Sequence, residues 1–262
     1  MSIRGAVLDV DGTVVRGDEP LPGAREGLAA LDDAGVSRLF VSNNPTKPPA
    51  AYSDRLRTAG FDVEPREVVT SGTTTVAYLR DHHPDDRLFL VGERGLRSQL
   101  EAAGLSVTDD PAAADVVVAS IDREFTYDRL REALRAVADR DVALVGTDPD
   151  AVIPAADTDL PGSGAIVRAV AAVAERDPDA VLGKPSPTAR RIVRERLDLP
   201  PESCLVVGDR LDTDVALGER AGMRTALVLT GVTDESDLAD ADVTPDHVFD
   251  TLADVADLLP DG

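Results

Sequence analysis

Short apolar runs alternate with amphipathic helical stretches from one end of this 262-residue chain to the other, and that alternation limits its fold more than any other feature. Val7-Leu8, Leu39–Val41, Leu88–Val91, Val116–Ala119, Val142–Val145, Cys204–Val207 and Thr225–Val228 read as strands. Between them lie stretches whose apolar residues recur every three or four positions. Pro22 stands near the start of one that carries Ala24, Leu28 and Leu31 on one face, with Gly35 closing it. Another holds Tyr52 and Leu56 and ends at Gly60. Further helices are expected over Leu96–Ala103, Leu130–Val137 and Ile166–Val173, and around Ile192, Val193 and Leu197. Strand, helix, strand in succession predicts an α/β protein with a largely parallel sheet. The length allows one large domain or two modest ones, each with a real core.

Charge narrows the partners. There are 49 acids against 27 bases, for a net charge of −22; 36 of the acids are Asp and only two of the bases are Lys. Such a surface repels nucleic acid and anionic lipid. Molar salt shortens the screening length to roughly 3 Å and makes dense negative charge tolerable, so the composition predicts a salt-adapted cytosol. Thermophiles enrich Lys and Glu, the opposite of this chain. No run approaches the 18 apolar residues of a membrane span, and the start lacks a signal-peptide pattern, so a cytoplasmic place is expected. Cys204 alone excludes an intramolecular disulfide and reads as a small buried hydrophobe.

Four segments carry chemistry. The first strand ends in Asp9-Val10-Asp11-Gly12-Thr13. Carboxylates two apart on an extended chain point the same way, and a strand's carboxyl end faces the crevice where open α/β sheets bind ligands. Such a pair needs a counter-charge, and hard oxygens suit Mg²⁺. Ser42-Asn43-Asn44 follows the second strand, offering a hydroxyl, amides and backbone N–H groups that can cradle phosphate. Gly183-Lys184-Pro185 precedes a helix; in a chain with two lysines, this one invites the role of a phosphate point charge. Finally, Gly208-Asp209-Arg210-Leu211-Asp212-Thr213-Asp214 links a strand to a helix, so that Asp209 and Asp214 could complete a metal site with Asp9. Asp214 is equally suited to cap the helix, and Asp212 reads as solvated. Taken singly, each segment is also an ordinary polar turn.

Together, in this order, the four segments resemble the haloacid dehalogenase superfamily. About 100 residues between Thr70-Ser71-Gly72 and Lys184 look like its large inserted cap. Ile121–Tyr127, Gly146-Thr147-Asp148-Pro149-Asp150 and Pro161-Gly162-Ser163-Gly164 are similar to the NagD-like, para-nitrophenylphosphatase branch with a class IIA cap. The resemblance implies a Rossmann-like core of residues 1–77 and 182–262 and an α/β cap of residues 78–181. It implies Asp9 as nucleophile and Mg²⁺ ligand, and Asp11 as general acid–base that meets the metal through its main-chain carbonyl. Ser42, Asn43, Asn44 and Lys184 would hold phosphate; Asp209 would bind Mg²⁺ directly, and Asp214 would hold a metal-bound water or orient its neighbours. The implied activity is hydrolysis of a small-molecule phosphate ester, with no nucleic-acid or membrane partner and with a homo-oligomer compatible. A phosphomutase, a phospho-accepting receiver and a non-catalytic phosphate-binding protein are the alternatives. A receiver's nucleophile belongs on a later strand, and a binding protein would lack Asp9 or Asp11. For the leaving group, Arg94, Arg97, Arg123 and the Pro161–Gly164 loop are candidates, although an acidic protein also uses such arginines in surface ion pairs.

Overall fold

The computed structural model describes residues 2–138, 141–154 and 158–260. By its internal contacts the chain forms two units. One comprises residues 1–42, 49–69 and 184–262, the other residues 43–48 and 70–183. Residues 1, 261 and 262, within the bounds expected for the core, lie outside the described residues.

The first unit begins with β1 (Gly5–Leu8), every residue of which is buried. A small antiparallel hairpin follows, β2 (Val15–Arg16) with β3 (Glu19–Pro20). Helix α1 (Ala24–Asp33) then buries Ala24, Gly27, Leu28 and Leu31, the face its three-to-four spacing predicts. It ends at Gly35, whose φ of +67° is open to glycine without strain. After β4 (Ser37–Ser42) the chain makes the loop 43–48, and α2 (Pro49–Thr58) and β5 (Val68–Thr70) close this stretch.

The second unit carries α3 (Ser71–His82), whose first turn is capped by Thr70 accepting from Thr73 N at 3.1 Å. Then come β6 (Arg87–Val91), α4 (Arg94–Ala102), β7 (Ser106–Thr108), β8 (Val116–Ala119), α5 (Tyr127–Ala136) and β9 (Ala143–Gly146). A hairpin of β10 (Val152–Ile153) and β11 (Leu160–Pro161), helix α6 (Ser163–Ala174) and β12 (Ala180–Val181) complete it. Its five strands run in the order β12-β9-β8-β6-β7, all pairs parallel. Apolar side chains fill both faces: Phe89, Val117 and Leu144 with α5 and α6 on one, Leu88, Val116 and Val118 with Leu96 and Leu100 of α4 on the other.

The chain re-enters the first unit through α7 (Pro187–Leu197). Ser186 caps it, accepting from Ala189 N at 3.1 Å, and Pro187 sits at a first-turn position where its missing N–H costs nothing. Strands β13 (Cys204–Gly208), β14 (Arg224–Val228) and β15 (His247–Phe249) follow, with α8 (Ala216–Ala221) between the first two. The sheet order is β15-β14-β13-β1-β4-β5. Leu8 stands opposite Val207 on one side and Phe40 on the other, both in parallel register. The order of connection reverses at β1, and open α/β sheets bind ligands outside such a switch point.

The predicted strands and helices are all present, within a residue or two at most ends. Sequence periodicity had no purchase on β5, β7 and β15, three residues each, nor on α3, whose Ser71-Gly72-Thr73-Thr74-Thr75 start lacks an apolar stripe. The contact boundaries, at 69/70 and 183/184, stand beside the expected divisions at 77/78 and 181/182. Among the described residues no helix is long and apolar enough to cross a membrane. Cys204 is buried.

Candidate active site

Three strand ends of the first unit converge. Asp9 follows β1, its N–H bound to Val207 O at 2.9 Å; Ser42 ends β4; Asp209 follows β13. Past β13 the chain makes one wide turn, Leu211–Val215, before α8, and that turn swings Asp214 back under Gly208. A Cβ on Gly208 would collide with the Asp214 carboxylate, so glycine is required there. Gly12, at φ +100°, has the same relation to Asp209: an added Cβ would strike the Asp209 carboxylate.

Asp9, Asp209 and Asp214 each present a carboxylate oxygen within 4.8 Å of the others, all buried. Lys184 is 3% exposed; its Nζ lies 2.5 Å from Asp9 Oδ1 and 2.6 Å from Asp214 Oδ1, and donates to Val41 O at 2.9 Å. Burial alone would lower the lysine, but Asp214 and Asp9 outweigh it and hold the ammonium charged. Burial raises Asp9 well above the usual carboxylate range; Lys184 opposes this, while Asp214 and Asp209 add to it. Asp209 is pushed up to about 7 by burial and by Asp214, against the Val232 N–H that donates to its Oδ2 at 2.8 Å. Three buried acids facing one ammonium leave a deficit of positive charge. Asp9 Oδ2 is buried and has no hydrogen-bond partner among the described residues. An all-oxygen donor set with an orphaned carboxylate oxygen fits a hard divalent cation.

Asp11 stands apart from that cluster. Half-exposed, its Oδ1 accepts from Arg55 at 2.7 Å and its Oδ2 from the Tyr52 hydroxyl at 3.4 Å, while Tyr52 accepts from Ser42 Oγ at 2.9 Å. A relay Ser42–Tyr52–Asp11 thus joins the first two motifs through α2. Sequence reasoning used Tyr52 only as a core residue and did not single out Arg55, because the 44-residue separation leaves no local signal. It also missed the loop after β14. There Thr230 Oγ1 donates to Gly12 O at 2.7 Å, and a Cβ on Gly231 would strike Asp209.

In the second unit, Asn43 Nδ2 donates to Asp150 Oδ1 at 3.3 Å and Ser71 Oγ to Asn43 O at 2.9 Å. Asn44 Oδ1 accepts from Thr46 N at 2.8 Å, Thr46 Oγ1 at 2.9 Å and Lys47 N at 3.3 Å, so that oxygen shapes the loop. Asp148 is buried and pushed up to about 8 by burial, with Asp150 adding to the effect. Arg97 pairs with Asp109 at 2.5 Å and Arg123 with Glu93 at 2.6 Å, whereas Arg94 opens α4 exposed.

Known proteins are similar to this chain in sequence and in fold. Residues 6–106 match the family described as haloacid dehalogenase-like hydrolase, and residues 181–255 match a second model of HAD-hydrolase-like proteins. The sugar-phosphatase AraL of Bacillus subtilis (strain 168) is 32% identical over 262 residues, covering 100% of this chain and 95% of that protein. The p-nitrophenyl phosphatase from Archaeoglobus fulgidus has a TM-score of 0.91 at 34% identity, covering 99% of this chain and 100% of its own. NagD from E. coli K-12 has a TM-score of 0.85 at 29% identity, covering 97% and 98%.

Proposed function

This chain belongs to the haloacid dehalogenase-like hydrolases, in the branch of NagD and the p-nitrophenyl phosphatases, and on that premise we propose that it hydrolyses a small phosphomonoester through a phosphoenzyme formed on Asp9. The observation that carries this is the buried Asp9 carboxylate, with one oxygen against Lys184 and the other without a hydrogen-bond partner among the described residues, at the switch point of a parallel sheet.

In the first half-reaction an Asp9 oxygen attacks phosphorus, the ester P–O bond breaks, and the departing alkoxide takes a proton from Asp11. In the second, water attacks the acyl phosphate, Asp11 takes the water's proton, and phosphate leaves with Asp9 restored. One acid serves both halves because they need opposite protonation states. Lys184 offsets the repulsion between an anionic nucleophile and an anionic substrate. The carboxylates of Asp9, Asp209 and Asp214 would hold Mg²⁺, with the Asp11 carbonyl as a further ligand; bound there, it would draw charge from the phosphoryl oxygens. Ser42, Asn43 and Asn44 supply the phosphate cradle.

Residues 1–77 and 182–262 act as catalytic core and residues 78–181 as a cap that supplies leaving-group contacts. A sugar or short polyol phosphate is the substrate class, a reading supported by the sugar-phosphatase relative. The protein works in a salt-rich cytoplasm, for which the net charge of −22 is the support. A phosphate-ester panel assayed for inorganic phosphate at high salt, with and without EDTA, tests the proposal. Undiminished turnover in EDTA, or transfer of phosphate to another hydroxyl without release, would refute it; the latter outcome describes a phosphomutase.

A further inference from the structure

Two of the four motifs are cut by the boundary between the units. Ser42 belongs to the first unit and Asn43-Asn44 to the second; Gly183 belongs to the second and Lys184 to the first. The loop 43–48 is therefore held by residues far along the chain. Gln99, on α4, donates its Nε2 to Pro45 O at 2.9 Å and to Gly95 O, one turn back on its own helix, at 3.1 Å. Gly72 on α3 and Gly95 on α4 give the loop room to come this close. A Cβ on Gly72 would stand 2.8 Å from Pro45 O, and one on Gly95 would collide with Thr46 O. Pro45 cannot donate a backbone hydrogen bond, so its carbonyl is the main-chain group at that position open to anchoring.

We propose that Gln99 is a positioning residue for phosphate binding: through the Pro45 carbonyl it fixes the pose of Asn43 and Asn44, the two amides of the phosphate cradle that this unit carries. The inference rests on the phosphatase reading above. Asn44 Oδ1 is bound by Thr46 and Lys47, so residues 44–47 are tied together around Pro45 and an anchor there acts one peptide away from Asn43. Asn43 in turn bonds Asp150, and its Oδ1 would lie 2.6 Å from a Cβ on Gly183, so Asn43 and Gly183 approach closely within this unit. Gln99 acts on the pose of binding groups and touches no reacting atom, so its loss weakens binding while leaving the chemical step intact.

Gln99→Met keeps the length and bulk of the side chain and removes the donor. Gln99→Glu also keeps the shape but turns a carboxylate toward the Pro45 carbonyl, and it serves as the second variant if the first folds poorly. KM and kcat with p-nitrophenyl phosphate, the Kd for inorganic phosphate by calorimetry, and the melting temperature are measured for each against wild type. Loss of the hydrogen bond to Pro45 predicts that KM and the phosphate Kd rise together by about fivefold in Gln99→Met, with kcat within about twofold. Gln99→Glu should exceed that. If both variants keep wild-type KM and phosphate Kd, whatever their melting temperatures, or if kcat falls with KM unmoved, Gln99 has no positioning role. A wild-type protein that neither binds phosphate nor hydrolyses any ester removes the phosphatase reading and this inference with it.

Discussion

The Asp209→Asn substitution should make the metal-free protein more stable, and the structure sets how much. Asp209 sits at about 7 against an ordinary 3.8, because it is buried and faces Asp214. At about 1.4 kcal/mol per tenfold change in proton affinity, that difference is worth about 4 kcal/mol. A raised carboxylate favours the protonated, folded form, so this stability is fully present below about pH 4. It is lost progressively as pH rises through about 7. At pH 8 the wild-type protein therefore carries the whole penalty. Asparagine carries none, and its amide oxygen can still accept from Val232 N, which is 2.8 Å from Asp209 Oδ2. With about 2–4 °C per kcal/mol for a chain of this size, and relaxation around the charge trimming the gain to roughly half, the variant should melt about 4–8 °C higher in EDTA at pH 8. The gap should shrink by more than half at pH 5. Saturating Mg²⁺ should reverse the trend, since binding at about 100 times Kd adds about 2.7 kcal/mol to the wild type alone. Thermal melts by circular dichroism at fixed high KCl measure all three. A variant that melts at or below wild type in EDTA at pH 8, or a gap that does not change with pH, would show that the three acids impose no charge deficit.

Asp9→Asn should reduce turnover to background in a folded protein. Asp11→Asn should lose about 10²–10⁴-fold yet give a burst of nitrophenolate from p-nitrophenyl phosphate and a phosphorylated Asp9 peptide by mass spectrometry; a label elsewhere would overturn the assignment. Tyr52→Phe leaves Ser42 Oγ and Asp11 without the hydroxyl between them and should cost about 1–2 kcal/mol in urea melts; an unchanged midpoint would mean that the relay is idle. With a net charge of −22, the wild type should melt lower in dilute buffer than in molar KCl, and a flat response would mean that the acidic surface serves solvation alone, without salt adaptation.

Much of this molecule was legible in the chain itself. Strands as short as Gly5–Leu8 are apolar throughout because neighbours bury both faces, and α1 shows its buried stripe at the spacing of a helix. Those patterns are local, so the sequence displays them. Asp9 and Asp209 could be singled out because each ends an apolar run with a charge that burial would penalise unless it were used, and Lys184 because a chain with only two lysines sets one between a glycine and a proline before a helix. Tertiary structure decided what no local pattern encodes. Asp214, which the sequence leaves open between metal ligand and helix cap, turns inward to Lys184 because a wide turn and a side-chain-free Gly208 allow it. Asp11 meets Arg55 across 44 residues, and Gln99 reaches Pro45 across 54. Which unit holds the loop 43–48 was likewise settled by where glycines leave room for a backbone to approach. Periodicity records which face of an element is buried, but contacts between elements depend on the path of the folded chain, and only the assembled sheets fix that path.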